Sequence, residues 1–217
     1  MGKTIIDISI SVDGYVAGPN QSLADPLGEG GEELHQWAYT AQKWREAHGR
    51  EGGEEGVDSD LIAARVERTG VTIMGRNMFS AGRDGQGWED DPRSDGWWGE
   101  EPPFHHPVFV VTHHEREPLE MKGGTTFNFV TDGIESALER ARAAAGEKDV
   151  LVSGGANVCN QYLAAGLVDE VHLHVAPVLL GGGARLFEDV GPAPPRLVPE
   201  RVAESPKATH LSYRVQR

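Results

Sequence analysis

A strand that stops at two adjacent glycines, directly before a helix, most constrains the fold of this chain. The stretch DVLVSGGANVCNQYL, residues 149–163, contains an apolar run that ends at Ser153-Gly154-Gly155 and then resumes at helical spacing. Glycine costs backbone entropy, so two glycines at such a junction need a geometric reason. Either the chain turns too tightly there for a Cβ atom, or a ligand lies directly against the backbone.

Regular spacing of apolar residues elsewhere predicts alternating strands and helices. Residues 6–12, IDISISV, alternate apolar and polar side chains with the period of two that is typical of a strand. Further strands are predicted for VTIM, PVFVVT, TTFNFVT and VLVS, and helices near residues 34–44, 61–70, 134–146 and 156–166. This alternation predicts an α/β fold with a mostly parallel central sheet and helices on both faces. The late strands DEVHLHVAPV and THLSYRVQ lack an intervening helix, which predicts an antiparallel C-terminal edge where both strands end the sheet.

The whole chain, residues 1–217, is predicted to form a single domain, because no stretch has the length and composition of a domain linker. Two acidic loops near residues 45–60 and 82–104, the first rich in glycine and the second in tryptophan, are interpreted as insertions. The segment GREGGEEG in the first of them is expected to be a mobile part of the surface.

Charge and composition exclude several classes of partner. The formal net charge of -14 argues against binding to a nucleic-acid backbone. No run approaches the roughly 18 apolar residues of a membrane span, and the first residues carry no secretory signal. Cys159 is the single cysteine, so no intramolecular disulfide can form. We therefore expect a cytoplasmic protein with no nucleic-acid or membrane partner, and a core role for Cys159.

Three predicted strand ends carry unusual chemistry: MGRN, VTHH and SGGAN. In open α/β sheets, ligands bind beyond the carboxyl ends of the strands. Arg76 follows Gly75 in the first turn of a helix, where a positive charge is unfavourable unless an anion is bound or a nearby acid pairs with it. Thr112 and His113 could complete a phosphate site with Arg76 if their two strands are neighbours in the sheet.

A metal site is the alternative use of the histidines in this region. His105, His106, His113 and His114 form a cluster in the sequence, but adjacent histidines rarely bind one ion together. No cysteine motif supports a zinc site. We predict no metal, and a metal-dependent hydrolase has little support.

The glycine pair fits a diphosphate bridge. Backbone amides of Ala156, Asn157 and Val158 are predicted to open a helix directly above the turn, and a helix N-terminus favours an anion. The pattern is not G-x-G-x-x-G, which disfavours an ordinary Rossmann domain. Two phosphate sites at separate strand ends, one of them with an arginine, describe a dinucleotide with an extra phosphate, such as NADPH.

Several motifs, in order, resemble the dihydrofolate reductase-like family: TIMGRNMF, VFVVT, VLVSGGANVCNQYL, VDEVHLHVAPVLLGGGARLF and THLSYRV, after the opening SVDGYVAGP. The match covers nearly the whole chain and is closest to the C-terminal reductase domain of the bifunctional riboflavin-biosynthesis deaminase-reductase. The P-C-x-x-C motif of the deaminase half is absent, so the chain resembles a stand-alone reductase domain. The resemblance implies a dihydrofolate reductase-like three-layer fold, NADPH, and hydride transfer to a small heterocyclic or imine substrate, pterin-like or ribosylamino-pyrimidine-like. It also implies a homodimer.

Cofactor roles follow from the resemblance, position by position. Gly75 and Arg76 are similar to the 2′-phosphate site, with Thr112 and His113 as its second wall. The diphosphate cradle corresponds to Gly154, Gly155, Ala156 and Asn157, and the mobile loop that closes over the nicotinamide corresponds to Val16, Ala17 and Gly18.

Two acids are candidates for polarising or protonating the substrate, namely Glu33 and Asp13. The resemblance implies an acid near the start of the first helix, where Glu33 lies, whereas Asp13 could instead bind loop amides next to Gly14. His172 and His174 are expected at a subunit interface or under a helix rather than at a ligand. If no acid is placed to donate a proton, a catalytically silent nucleotide-binding protein becomes the alternative.

Overall fold

The computed structural model describes residues 2–22, 24–80 and 96–216. Residues 82–95 of the second predicted insertion lie outside the described residues. Among those described, the strands are β1 (Thr4–Ser11), β2 (Tyr15–Ala17), β3 (Thr69–Gly75), β4 (Pro107–Val111), β5 (Leu119–Glu120), β6 (Thr126–Val130), β7 (Asp149–Gly154), β8 (Glu170–Ala176), β9 (Ala184–Arg185), β10 (Arg196–Glu204) and β11 (Thr209–Gln216). The α-helices are α1 (Gln36–Tyr39), α2 (Gln42–Ala47), α3 (Val57–Arg68), α4 (Arg76–Ser80), α5 (Ile134–Ala145) and α6 (Ala156–Ala164), and 3-10 helices cover Gly31–His35 and Lys122–Gly124.

Nine of the described strands form one sheet in the order β10-β11-β8-β1-β7-β3-β4-β6-β5. The strands from β8 to β6 in this order are parallel, and β5, β10 and β11 are antiparallel to their neighbours. The predicted fold class, a mostly parallel sheet with an antiparallel C-terminal edge, is confirmed. The predicted edge itself is wrong in detail, because β8 lies inside the sheet between β1 and β11, and β10 forms the edge.

The two faces of the sheet are covered by different helices. On one face, apolar side chains of the strands pack against α5 and α6 in the largest hydrophobic cluster of the described residues. Cys159 belongs to this cluster and is buried, as predicted, and burial raises the pKa of its thiol to about 12. On the other face, α1, α2 and α3 contribute a smaller cluster around Trp37 and Ile62.

The predicted helix over residues 34–44 is divided into a 3-10 helix, α1 and α2. Ala41 is extended, with φ -68° and ψ 137°, and forms a β-bridge with Glu54. The amide of Glu54 donates to the carbonyl of Thr40 at 2.7 Å, and the amide of Gln42 donates to the carbonyl of Glu54 at 2.9 Å. The first predicted insertion therefore pairs with the chain at this point and interrupts the helix.

Candidate functional site

Three of the predicted motifs meet at one end of the sheet. Strands β7, β3 and β4 are adjacent and parallel, so the residues that follow their carboxyl ends, Gly155, Arg76 and Thr112, lie side by side. Gly75, the last residue of β3, pairs with Val111, the last residue of β4. The two strands are neighbours, as the predicted phosphate site requires. A groove of about 1570 Å³ runs over these strand ends and along one face of the sheet.

Two of the predicted glycines are required by packing. A Cβ atom on Gly75 would lie 2.8 Å from Cγ2 of Val158, because α6 packs directly against the end of β3. Gly154 has a φ of 135°, which L-residues rarely adopt, and its Cβ would lie 3.3 Å from Sδ of Met78. The peptide bond between Gly154 and Gly155 is cis. Tight geometry is therefore the reason for Gly75 and Gly154.

Gly155 has a different environment. Its φ of -67° suits any residue, and no atom lies within 4 Å of the position that its Cβ would occupy. It is the residue before α6, and its carbonyl accepts a hydrogen bond from the amide of Cys159 at 3.2 Å. The first turn of α6 brings the amides of Ala156 and Asn157 to the same wall of the groove. Open space that a Cβ would fill, beside a helix N-terminus, fits an anionic group against the backbone.

The second predicted phosphate wall lies on the β3–β4 side of the groove. Arg76, Thr112 and His113 all line the groove. Thr112 is buried, and its hydroxyl oxygen accepts a hydrogen bond from the amide of His114 at 3.1 Å. His113 is exposed. The ends of the neighbouring strands β3 and β4 therefore bring one guanidinium, one hydroxyl and one imidazole to the groove, and this donor set suits a phosphate group.

The segment predicted as a mobile loop lies in a small two-stranded sheet. Strand β2 pairs with β9, so Ala17 faces Ala184 across the ladder. Val16 and Ala17 are buried and line the groove, and the amide of Gly18 donates to the carbonyl of Leu27 at 2.8 Å. These residues form an apolar wall next to the strand ends. Their contact with a cofactor stays a prediction.

The two predicted acids occupy different environments. The carboxylate of Asp13 accepts hydrogen bonds from the amides of Leu180 at 3.1 Å and Gly181 at 2.7 Å. A hydrogen bond with Ser11 and these two amides lower the pKa of Asp13 to about 2. Asp13 thus ties the turn after β1 to the loop after β8. Glu33 is exposed in the first 3-10 helix. A catalytic role for either acid stays a prediction.

A buried acid that the sequence reasoning did not single out lies in the groove wall. Asp7 and Ser9 point from β1 to the face covered by α3, and both line the groove. Oδ1 of Asp7 accepts a hydrogen bond from Nη1 of Arg65 at 3.0 Å and lies 3.1 Å from Nε2 of His174. Burial by itself raises the pKa of Asp7, but the neighbouring charges of His174 and Arg65 outweigh it. The pKa of Asp7 is held well below its usual range.

A series of polar contacts leads from Asp7 through the imidazoles of His174 on β8 and His210 on β11. Nδ1 of His174 lies 2.8 Å from Nδ1 of His210, and Nε2 of His210 lies 2.8 Å from Oδ1 of Asp58 in the first turn of α3. The indole of Trp37 covers His174, with the ring centroids 4.2 Å apart, and its Nε1 donates to the hydroxyl of Ser9 at 2.9 Å. His174 is 5% exposed, so the interpretation of His174 as an interface residue is wrong, although a position under a helix is confirmed.

Two further groove histidines are disfavoured as cations. Burial, followed by the charges of neighbouring groups, lowers the pKa of both His35 and His106 to about 4. Nε2 of His106 lies 2.8 Å from the hydroxyl of Thr72, and Nδ1 of His105 lies 2.9 Å from the carbonyl of Gly123. Within the described ranges, no three histidine, cysteine or acidic side chains are placed to hold a metal ion. In the same residues, no helix combines the length and hydropathy needed to cross a membrane.

The sheet order and the groove across adjacent strand ends are those of an open α/β domain. The chain belongs to the RibD C-terminal domain family, a reductase-type family whose family model matches residues 3–211. The predicted resemblance to the riboflavin-biosynthesis reductase domain is therefore confirmed.

Individual relatives match over shorter segments. The chain is 39% identical over 62 residues to the uncharacterized protein YyaP of Bacillus subtilis (strain 168), which covers 29% of this chain and 32% of YyaP. It is 39% identical over 54 residues to the riboflavin biosynthesis protein RibD of Mycobacterium tuberculosis (strain ATCC 25618 / H37Rv), which covers 25% of this chain and 16% of RibD. The matched segments thus span about a third or less of these relatives.

Solved structures share the fold over the whole chain. A protein provisionally assigned to riboflavin biosynthesis, from Shewanella sp. PV-4, matches with a TM-score of 0.64, 21% identity and 99% of both chains covered. The diaminohydroxyphosphoribosylaminopyrimidine deaminase/5-amino-6-(5-phosphoribosylamino)uracil reductase of Thermotoga maritima matches with a TM-score of 0.55 and 15% identity, covering 99% of this chain and 57% of that one. At these identities, the likeness concerns the fold.

Proposed function

We propose that this chain is an NADPH-dependent reductase that transfers a hydride to a small heterocyclic or imine substrate. The observation that carries the proposal is the open position above Gly155, beside the first turn of α6, with Arg76 at the end of the next strand and Thr112 at the end of the one after it. A diphosphate fits the first place, and a 2′-phosphate fits the donors of the second. The name of the Thermotoga maritima protein, a reductase of a phosphoribosylamino-uracil, supports a pyrimidine-type ring as the substrate.

The chain's own residues have three tasks in such a reaction. The amides that open α6 and the guanidinium of Arg76 bind the two phosphate groups. The apolar side chains of Val16 and Ala17 exclude water from the adjoining part of the groove. The ionised carboxylate of Asp7 orients a ring that presents N–H groups to it. A bound NADPH would supply the hydride itself.

Cofactor choice tests the proposal through tryptophan fluorescence, because Trp97 and Trp98 line the groove. We expect the wild-type protein to bind NADPH more tightly than NADH. Arg76→Ala should weaken NADPH binding by about 1.5–3 kcal/mol, or roughly 10- to 150-fold, through loss of a charge-assisted pair. NADH binding should stay within a factor of about two.

The matched control is Arg214→Ala, which removes the same charge from an exposed arginine paired with Glu200 on β10. Its affinities should equal those of the wild-type protein. An equal loss of NADPH and NADH binding in Arg76→Ala would show that this arginine is structural. A wild-type protein that binds neither dinucleotide would refute the proposed cofactor.

A further inference from the structure

We propose that the buried hydrogen-bonded chain Asp7–His174–His210–Asp58 stores one extra proton in the wall of the groove. It delivers this proton, through Asp7, to the nitrogen of the C=N bond that is reduced. The delivery step rests on the proposed function. The storage of the proton does not, because it follows from the hydrogen bonds of the protein alone. Asp7 is the member that meets the substrate, and His174, His210 and Asp58 act through it as positioning residues.

The number of hydrogens follows from the three contacts of the chain. Nε2 of His174 lies 3.1 Å from Asp7, the two Nδ1 atoms lie 2.8 Å apart, and Nε2 of His210 lies 2.8 Å from Asp58. Each contact needs one hydrogen, because two lone pairs at such distances repel. Two neutral imidazoles carry only two ring hydrogens between them, whereas the three contacts need three hydrogens. The four groups therefore hold one proton more than two neutral imidazoles and two carboxylates.

The surrounding charges place this proton on the imidazole next to the groove. Asp58 lies in the first turn of α3, where the helix dipole favours an ionised carboxylate. Burial, and then the charge of His174, lower the pKa of His210, which favours the neutral form of that ring. His174 then carries both ring hydrogens, donates one to Asp7 and the other to His210, and is the imidazolium of the pair.

The environment of His174 suits a cation. The indole of Trp37 covers its ring at a centroid distance of 4.2 Å, a geometry in which an aromatic face attracts positive charge. Two carboxylates, one guanidinium and one imidazolium balance to zero in the group of Asp7, Asp58, Arg65 and His174. The other titratable groups that face this cluster are His35 from the first 3-10 helix and, from β8, Glu170 and His172.

The balance of the reaction closes with this proton. Reduction of a C=N bond forms one C–H bond with a hydride and one N–H bond with a proton, and a bound dinucleotide would supply the hydride with its two electrons. The proton leaves His174 for Asp7 and passes to the ring nitrogen, so the imidazole pair becomes neutral. Water at Asp58, whose side chain is 13% exposed, restores the proton to His210 and from there to His174.

Nitrogen-15 NMR of histidine-labelled protein counts the ring hydrogens without any cofactor. We expect three protonated ring nitrogens in the His174–His210 pair at neutral pH, with the signals assigned by single histidine variants. Asp58→Asn keeps a hydrogen-bond acceptor for His210 and removes the charge, so the third hydrogen should be lost about one pH unit lower than in the wild-type protein. Asp60→Asn, an exposed acid in the same turn of α3, is the control and should change nothing. Two protonated nitrogens in the wild-type pair would overturn the proposal.

The pH dependence of NADPH oxidation tests delivery, with dihydrofolate as the probe because it is a heterocycle with a C=N bond. The rate should fall at alkaline pH as the stored proton is lost. In Asp58→Asn this fall should move to lower pH by the same amount as the NMR midpoint, with unchanged NADPH affinity. An unmoved fall, or no oxidation by a wild-type protein that binds NADPH, would overturn delivery to this class of ring. Failure to bind NADPH would instead refute the proposed function, and the NMR count would still decide whether the proton is stored.

Discussion

The two faces of the sheet differ in chemistry, although the same strands supply both. Towards α5 and α6, β1 presents Ile6, Ile8 and Ile10, and its neighbours add Val152 and Leu173 in one apolar cluster. Towards α3, the same strands present a polar row on β1, β8 and β11, made of Asp7, Ser9, Ser11, His172, His174, His210 and Ser212. One face buries apolar side chains, and the other carries polar side chains that need hydrogen-bond partners.

The difference indicates that one face of the sheet mainly stabilises the fold, whereas the other carries the polar groups that could take part in chemistry. Burial of apolar surface contributes about 25 cal/mol per Å², so the α5–α6 face stabilises the fold in proportion to its area. Buried polar groups contribute little net stability and destabilise the fold when they lose a partner. The polar row persists because its members satisfy one another, as Asp7 does with Arg65 and His174. We therefore expect substitutions on the two faces to fail in different ways.

The largest effect on folding is expected from Ile73→Ala on β3. Ile73 is fully buried on the apolar face, so its truncation should lower the free energy of unfolding by about 2–5 kcal/mol and leave the NADPH affinity of the folded protein unchanged. Thr72→Val, on the opposite face of the same strand, removes the hydroxyl that bonds to His106 and should cost only about 1 kcal/mol. Equal losses in urea denaturation would contradict the distinction between the faces.

Gly155→Val should weaken NADPH binding and leave stability nearly unchanged, the reverse of what is expected for Ile73→Ala. A branched side chain would fill the open position over the strand ends, so NADPH binding should weaken at least about 100-fold, or about 2.7 kcal/mol, in a fluorescence titration. The free energy of unfolding should change by less than about 1 kcal/mol, because the new Cβ meets no atom of the protein.

Gly182→Val is the matched control for this substitution, since its Cβ also meets nothing within 4 Å and Gly182 does not line the groove. Gly155→Ala should give an intermediate affinity. It supplies the test if circular dichroism shows that the valine variant is misfolded. Normal NADPH binding by a folded Gly155→Val protein would move the diphosphate site elsewhere.

Acid should destabilise the polar face first. The pKa of His35 and His106 falls from 6.5 to about 4 on folding, so the unfolded chain binds more protons between these values. Stability is therefore complete above pH 6.5 and falls as the pH drops towards 4, by at most about 1.4 kcal/mol per pH unit for each histidine. His106→Gln should make the free energy of unfolding, measured in urea at several pH values, depend less on pH, by up to the contribution of one bound proton. The contribution of Asp7, whose pKa is lowered, is lost only at still lower pH. An unchanged slope would show that His106 titrates normally.

The smallest effect concerns assembly, where a homodimer stays a prediction. The edge strand β10 carries Pro199 at a register shift and several charged residues, namely Arg196, Glu200, Arg201 and Glu204. Proline and charge discourage pairing between sheet edges. Val202→Asp at the exposed centre of β10 should therefore change the dissociation constant less than about tenfold in sedimentation equilibrium. A 23.5 kDa species at every concentration would refute the dimer.

The strand ends of the groove could be predicted from the sequence because their signals are local. Apolar runs, glycines and the residues that follow them indicate where each parallel strand stops, and parallel strands bring these ends to one edge. Strand β10 was not predicted, since most of its residues are exposed and it contains a proline. The pairing of β2 with β9 joins residues 15–17 to 184–185, and no local pattern indicates such a contact.

The buried polar chain could not be assembled from the sequence for a related reason. The alternation of residues 6–12 places Asp7 on one face of a strand, and that much was visible. Its contact with His174 depends on β8 lying beside β1, and the contact between His174 and His210 depends on β11 lying beside β8. Strand order is set by the packing of the whole domain, so the sequence alone could not exclude an interface position for the buried His174.

The central place of β1 has a consequence for synthesis on the ribosome. Its two neighbours, β7 and β8, are translated more than a hundred residues later, at Asp149–Gly154 and Glu170–Ala176. At about 5–20 residues per second, the first strand waits on the order of ten seconds with its isoleucines unpaired. Contacts of such sequence separation slow folding and expose apolar segments to aggregation. The nascent chain therefore exposes this apolar segment until the second half of the domain emerges.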